Sequence, residues 1–257
     1  MPRLRLLDAA RNQWPSLAGT LTASSAVAAL PASASQNPDR SFVWRSNPGT
    51  GVHTLDRDFG GLVSISAVAV ANLRLITGGA LEVSHRGDAG APGAETVLAT
   101  ITGQDRDTRA AAAFWNAQSH RHWRLKWTNP GAANEFAEVG YVHLGTYYES
   151  PVNPSVPLEI RRLDPSVVST STDGQRTTAK RSKYFAGAWA FRNVVDGQLD
   201  ELRAIFDASG VGSPFFQLLD TSRSWWCTLA YQGAELGIGL GEIDTRFGVG
   251  VTWEEAR

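Results

Sequence analysis

Residues 119–145 read SHRHWRLKWTNPGAANEFAEVGYVHLG. Within them the run 122–127 alternates. His122, Arg124 and Lys126 fall on one side of an extended chain, and Trp123, Leu125 and Trp127 on the other. A strand that is wet on one face and aromatic on the other belongs to a half-buried antiparallel sheet. A break rich in Gly, Ala and Asn follows at 130–134, then a second apolar run that ends at Gly145. Two strands joined by a loop are therefore predicted. The same stretch raises a metal question, because His120 and His122 stand two residues apart. A site needs a third ligand. The candidate is His143, whose neighbours Tyr141 and Gly145 supply none. The expectation is a solvated or interface-facing strand, with no metal.

The pattern extends in both directions. Short β-rich runs occur at 40–47, 51–61, 62–75, 80–88 and 95–103, separated by Gly, Pro, Asn and Asp. In 62–75, Val63, Ile65, Ala67 and Ala69 are expected on one side. Prolines at 151, 154 and 157 make a stiff extended linker that divides the chain. Beyond it lie strand-like runs at 158–194, 213–220, 224–232 and 234–255, with one helix at 196–210. Leu199, Leu202, Ile205 and Phe206 share a face of that helix, and Gly210 supplies a stop. The predicted fold class is all-β with one α-helix. It comprises an N-terminal segment 1–39 of undetermined structure, a β-rich first domain 40–150, a linker 151–157 and a second domain 158–257.

Composition narrows the function. The chain has 257 residues, 42% hydrophobic and 19% charged, with a net charge of −1, so no basic footprint for nucleic acid stands out. The single cysteine, Cys227, excludes an intrachain disulfide. Beside Trp225 and Trp226 it reads as a packed thiol with nothing local to activate it. No apolar run is long enough to span a membrane. The segment 24–36 resembles the tail of a signal peptide, but Asp8, Arg11, Asn12 and Trp14 interrupt any apolar core before it, so secretion is not expected. G-x-S-x-G, H-E-x-x-H and P-loop motifs are absent, so neither an enzyme nor a cofactor is expected.

Two resemblances rest on particular residues. RSFVWRSN, VHTLDRDFG, VSISAVAVANLRL, HRHWRLKWTNPG and AEVGYVHLG, in that order, resemble the galactose-binding-like jelly rolls of the discoidin type. That resemblance covers about 100 residues and implies an eight-stranded antiparallel sandwich. The segment DGQRTTAKRSKYFAGAWAFRNVVDGQLDELRAIFDASGVGSPFFQLLD, with WCTLAYQG and RFGVGVTWEE, resembles the tail-tube-like domain of tailed bacteriophages. It implies a ring-forming β-barrel. Many distal tail proteins place the ring domain first and the sandwich second; here the order is reversed.

Together the resemblances imply a structural virion protein of a long-tailed phage, assembled in the host cytoplasm. It would be a distal tail or tail-tip ring subunit, most simply a hexamer. Its partners would be the tail tube protein, the tape measure protein and tip, hub or fibre proteins, with phage DNA passing through its channel. Thr177, Thr178, Lys180, Arg181 and Lys183 form the candidate ring-interface strand, being polar enough not to aggregate as a free edge. The glycines of 237–251 would let sheets curve. Glu235, Glu242 and Asp244 are candidates for an acidic lumen that repels phosphate, or for a solvated face. The alternatives are another minor tail protein or a carbohydrate-binding module. For the latter, Trp44, Arg45, Trp115, His120 and Arg121 are the candidate contacts, since aromatics stack on sugars and arginine donates to hydroxyls.

Overall fold

The computed structural model describes residues 4–16, 18–39, 41–49, 51–75, 78–88, 92–103, 109–129, 135–150, 159–173, 175–179, 184–209, 213–220, 225–240 and 247–255. Ten strands precede the proline-rich segment: β1 Leu4–Leu7, β2 Thr20–Ala23, β3 Trp44–Arg45, β4 Gly51–Val70, β5 Ala80–His85, β6 Thr96–Ile101, β7 Ala111–Asn129, β8 Glu138–Val139, β9 Val142–Gly145 and β10 Tyr148–Glu149. Seven follow it: β11 Glu159–Leu163, β12 Val167–Thr170, β13 Arg176–Ala179, β14 Tyr184–Val194, β15 Phe215–Asp220, β16 Trp225–Leu240 and β17 Phe247–Glu255. The helix, α1, is Asp196–Ser209 and lies between β14 and β15.

The first body is an antiparallel sandwich. Its main sheet runs β2–β4–β7–β5–β6, with β9 also on β4, and a short β3–β8 ribbon faces it. The eight strands are thus split six and two. The predicted alternation of β7 holds: Trp123, Leu125 and Trp127 are buried, beside Leu55, Leu81 and Val83. Trp44 of β3 lies at 5.0 Å from Trp127, ring to ring. Trp14 is also in this core, its Nε1–H donating to Ser35 at 3.0 Å.

The phase expected for 62–75 is corrected. The β4–β7 register slips between Ile65 and Ala67. Ile65, Val68 and Val70 then enter the sandwich core, while Ala67, Ala69 and Ala71 join a different one. A bulge inserts unpaired residues into one strand and turns the following side chains to the opposite face.

The second body is a seven-stranded antiparallel sheet, β10–β1–β15–β16–β17–β14–β11. Here the predicted barrel is corrected: among the described residues the sheet is open, with β10 and β11 at its two edges. Each of its faces is buried by another layer, so its edges have no need to meet. On one face Leu4, Leu6, Trp189, Phe191, Phe215 and Trp253 pack with Leu199, Leu202, Ile205 and Phe206 of α1. On the other, Leu7, Phe216, Leu218 and Leu229 pack against Ala67, Ala69, Ala71 and Tyr141 of the first body.

The N-terminal segment is the stitch between the two. Strand β1 pairs with β15 and β10, so the chain begins in the second sheet, leaves for the sandwich and returns. The buried amide of Asn12 is fully used: Nδ2 donates to Tyr141 Oη at 3.0 Å and to the Val142 carbonyl at 2.9 Å, and Oδ1 accepts from the amides of Trp14 and Leu144, each at 3.0 Å. Gly145 is required at this crossing, since a Cβ there would lie 1.9 Å from the Arg11 carbonyl oxygen. Arg5 lies over Phe114 at 4.3 Å and pairs with Glu149 at 2.6 Å.

Phe216 stacks on Tyr141 at 5.9 Å between the bodies and is fully buried. Phe216→Ala is expected to cost about 3–5 kcal/mol and to lower Tm by on the order of 10 °C, with Phe216→Leu much milder. Differential scanning calorimetry checks this.

Candidate functional site

The solvent face of the main sandwich sheet is an ionic lattice. Asp56 and Asp58 of β4, Glu82 of β5, and Arg124 and Lys126 of β7 project from it because they alternate with Leu55, Leu81, Val83 and Leu125. Arg124 grips Asp56 with two bonds of 2.7 and 3.1 Å and reaches Glu95 at 3.1 Å. Lys126 pairs with Glu82 at 2.6 Å. Arg121 grips Asp58 with two bonds of 2.7 and 2.8 Å. Forked pairs of this kind are the stronger and more directional charge-assisted bonds. The Arg121 guanidinium holds the Asp58 carboxyl well below the usual carboxylate range.

A groove of about 330 Å³ lies on this face, lined by Thr20, Thr22, Asp56, Arg57, Asp58, Arg86, Pro92, His122 and Trp123. Edge strand β2 forms one wall, and Arg86 and Pro92, beyond β5, form the other. Arg57 is nearly buried and donates to the carbonyls of Ser16 and Ala18, tying the N-terminal segment to the groove. Its Nε is buried with no hydrogen-bond partner, and so is the Nε of Arg86. Buried donors of this kind are costly unless satisfied.

The structure separates the five predicted contact residues. Trp44 is fully buried and is removed from the surface set, because it fills the core against Trp127. Arg45 lies in a second cluster, paired with Glu138 and over the Phe136 ring at 4.4 Å. Trp115, His120 and Arg121 come together at the rim of the lattice. The Trp115 ring stacks on Trp123 at 6.2 Å, and its Nε1–H donates to the Ile65 carbonyl at 3.1 Å. His120 stacks on His85 at 3.5 Å and bonds Asp88 at 2.9 Å. Burial, and then the neighbouring His120 charge, push the His85 imidazole below its ordinary value.

Sequence reasoning missed Asp56, Asp58, Arg86, Thr20 and Thr22. The Asp-Arg-Asp alternation at 56–58 beside Arg124 was a visible signal; the approach of β2 to Arg86 and Pro92 was not, since it depends on tertiary pairing. Of the histidines weighed for metal, His120 faces Asp88, His122 has Nδ1 3.9 Å from Asp58, and His143 is elsewhere, donating from Nε2 to the Thr146 carbonyl at 3.0 Å. Among the described residues no three His, Cys, Asp or Glu side chains are placed to hold a metal ion.

In the second body, Thr177 and Thr178 are exposed on β13, which among the described residues pairs only with β12 in a separate two-stranded ribbon. Lys180, Arg181, Lys183, Glu242 and Asp244 lie outside the described residues, as do the side chains of Glu235 and Cys227.

No protein-family model matches the chain, and no curated protein matches it. Among solved structures, it is similar to chitosan-binding module 1 of the chitosanase/glucanase from Paenibacillus sp. IK-5, at 19% identity and a TM-score of 0.44, over 51% of this chain and 98% of the module. It is similar to module 2 of that enzyme, solved with chitotriose, at 18% identity and 0.44, over 51% of this chain and 99% of the module. A fucosidase of Ruminococcus gnavus, solved with fucose, matches at 10% identity and 0.47, over 55% of this chain and 28% of the enzyme.

His143 gives a pH prediction. Complete burial holds its imidazole down at about 4, against 6.5 for an exposed histidine, with the Thr146 carbonyl opposing the shift. Between those values the unfolded chain binds a proton that the folded chain refuses. Stability is therefore full above about pH 6.5 and falls as pH drops towards 4, by on the order of 3 kcal/mol from this group. Urea midpoints of wild type and His143→Gln across pH 4–7 are expected to converge at the acid end.

Proposed function

We propose that the sandwich is a recognition module for neutral oligosaccharides and that the groove between β2 and the pair Arg86 and Pro92 is its binding site. The chemistry of the groove carries this reading. Seven of its nine lining residues are polar or charged, and its carboxylates are already paired with arginines. A cationic ligand would have to take a carboxylate from its arginine and leave that arginine unsatisfied. A polyhydroxylated neutral ligand instead donates to spare carboxylate lone pairs and accepts from the Thr20 and Thr22 hydroxyls and the arginine N–H groups, leaving every pair intact. The volume lies at the small end of ligand pockets, roughly 300–1,000 Å³, which fits a short stretch of sugar chain. A glycan array followed by titration calorimetry tests it. Uncharged oligosaccharides are expected to bind. Thr22→Trp, which fills the groove from an exposed edge position, should weaken binding at least tenfold with little change in Tm. Equal affinity in the variant would overturn the assignment.

A second reading is favoured by a separate observation. Every described residue of the β12–β13 ribbon is exposed, Val167 and Val168 included. A lone two-stranded ribbon is marginal in water, so its natural setting is against a partner. This fits a distal tail or tail-tip ring subunit of a long-tailed phage, forming a hexamer and contacting tail tube, tape measure and hub or fibre proteins in the virion. Negative-stain class averages of the concentrated protein test it: rings with a central hole are expected, and monomers at every concentration would count against it.

A further inference from the structure

The groove holds a cation whose hydrogen bonds are unspent. Asp56 is gripped by Arg124, Asp58 is gripped by Arg121, and Arg57 donates to the Ser16 and Ala18 carbonyls. Among the described residues the Arg86 side chain donates no hydrogen bond. It pairs only loosely with Asp56, Nη1 to Oδ1 at 3.7 Å, which is too far for one. Its Nε is buried without a partner, while 25% of the side chain stays exposed.

The backbone fixes what surrounds this guanidinium. The Arg86 amide donates to the His122 carbonyl at 2.9 Å, and the Arg86 carbonyl accepts from the Gly93 amide at 2.5 Å. Trp123 follows His122, and Pro92 precedes Gly93. Pro92 and Trp123 are the apolar residues of the groove lining, and these two bonds set both beside Arg86.

The three side chains together set a chemical requirement. A guanidinium carries five N–H donors and no acceptor, so it is best met by a group that only accepts. A sugar hydroxyl brings a proton that Arg86 cannot take. A carboxylate brings none, but its charge would stand against Asp56 on the same guanidinium, and like charges so placed are costly. An amide carbonyl accepts without charge. A small apolar group attached to that carbonyl would lie on Pro92 and Trp123. One common sugar substituent supplies both parts, the acetamido group.

We infer that Arg86 determines the specificity of the groove, and that the oligosaccharide it selects carries an acetamido group, its carbonyl on the Arg86 guanidinium and its methyl against Pro92 and Trp123. The inference rests on the oligosaccharide reading and adds which sugars the site takes. A hexose with a hydroxyl at that carbon leaves Arg86 poorly satisfied, and a free amine sets a cation against it. Sites built to hydrogen-bond a ligand group discriminate strongly against the analogue that lacks it.

The test is titration calorimetry of the full chain with matched neutral oligosaccharides, in gluco and galacto configuration, that differ only by hydroxyl or acetamido at one ring carbon. Wild type is expected to bind the acetamido member of at least one pair roughly tenfold more tightly or better. Arg86→Leu keeps much of the bulk without the donors and should bring the two members within about twofold. A purely structural role for Arg86 would weaken both members together and leave their ratio unchanged, and circular dichroism confirms that the variant folds. Equal affinity for both members of every pair in wild type, or an undiminished ratio in the variant, overturns the inference and leaves the oligosaccharide reading standing. If wild type binds no member of any pair, both fail.

Discussion

Three alanines set the spacing on which the rest of the structure depends. Ala67, Ala69 and Ala71 present almost no side chain to the second sheet, so its Phe216, Leu218 and Leu229 can approach the sandwich closely. Larger residues would hold the sheets apart and open voids that close-packed interiors do not tolerate. The alanines face that way only because the bulge after Ile65 reverses the phase of β4. The crossing of the N-terminal segment is equally tight, as Gly145 admits the Arg11 carbonyl where a Cβ would collide with it. Asn12 then satisfies the backbone groups that this close passage would otherwise strand.

The same frame explains how polar chemistry is held. Beneath the groove the sheet has a core of Trp, Leu and Val, which fixes the strands, and the strands fix the forks of Arg121 and Arg124 on Asp58 and Asp56. Partly exposed pairs of this kind contribute little net stability. Their value is orientation, since a paired carboxylate has a known direction and spare lone pairs. Because β2 belongs to the stitched N-terminal segment, one wall of the groove depends on the join between the two bodies.

The ribbon and helix follow a different logic. They lie at the two ends of β14 and take no part in the alanine-lined interface. Both are polar because they are presented to solvent.

Local patterning determined much about this protein. Period-two alternation marked β7 with the correct buried residues, and helical spacing marked the buried face of α1, because both depend only on which side chains share a face. The all-β class with one helix was legible for the same reason, whereas the antiparallel sandwich was implied by the resemblance of particular residues to galactose-binding-like jelly rolls. Tertiary structure alone decided the rest. A four-residue strand such as β1 has no periodicity to read, so its place inside the second sheet appears only through its partners. The bulge in β4 leaves no mark in composition, yet it sends alternate residues into different cores. The open second sheet in place of a barrel follows from layers that cover both its faces. The groove requires β2, β4, β7, Arg86 and Pro92 to meet, and that convergence of distant segments is a property of packing, not of any one stretch of chain.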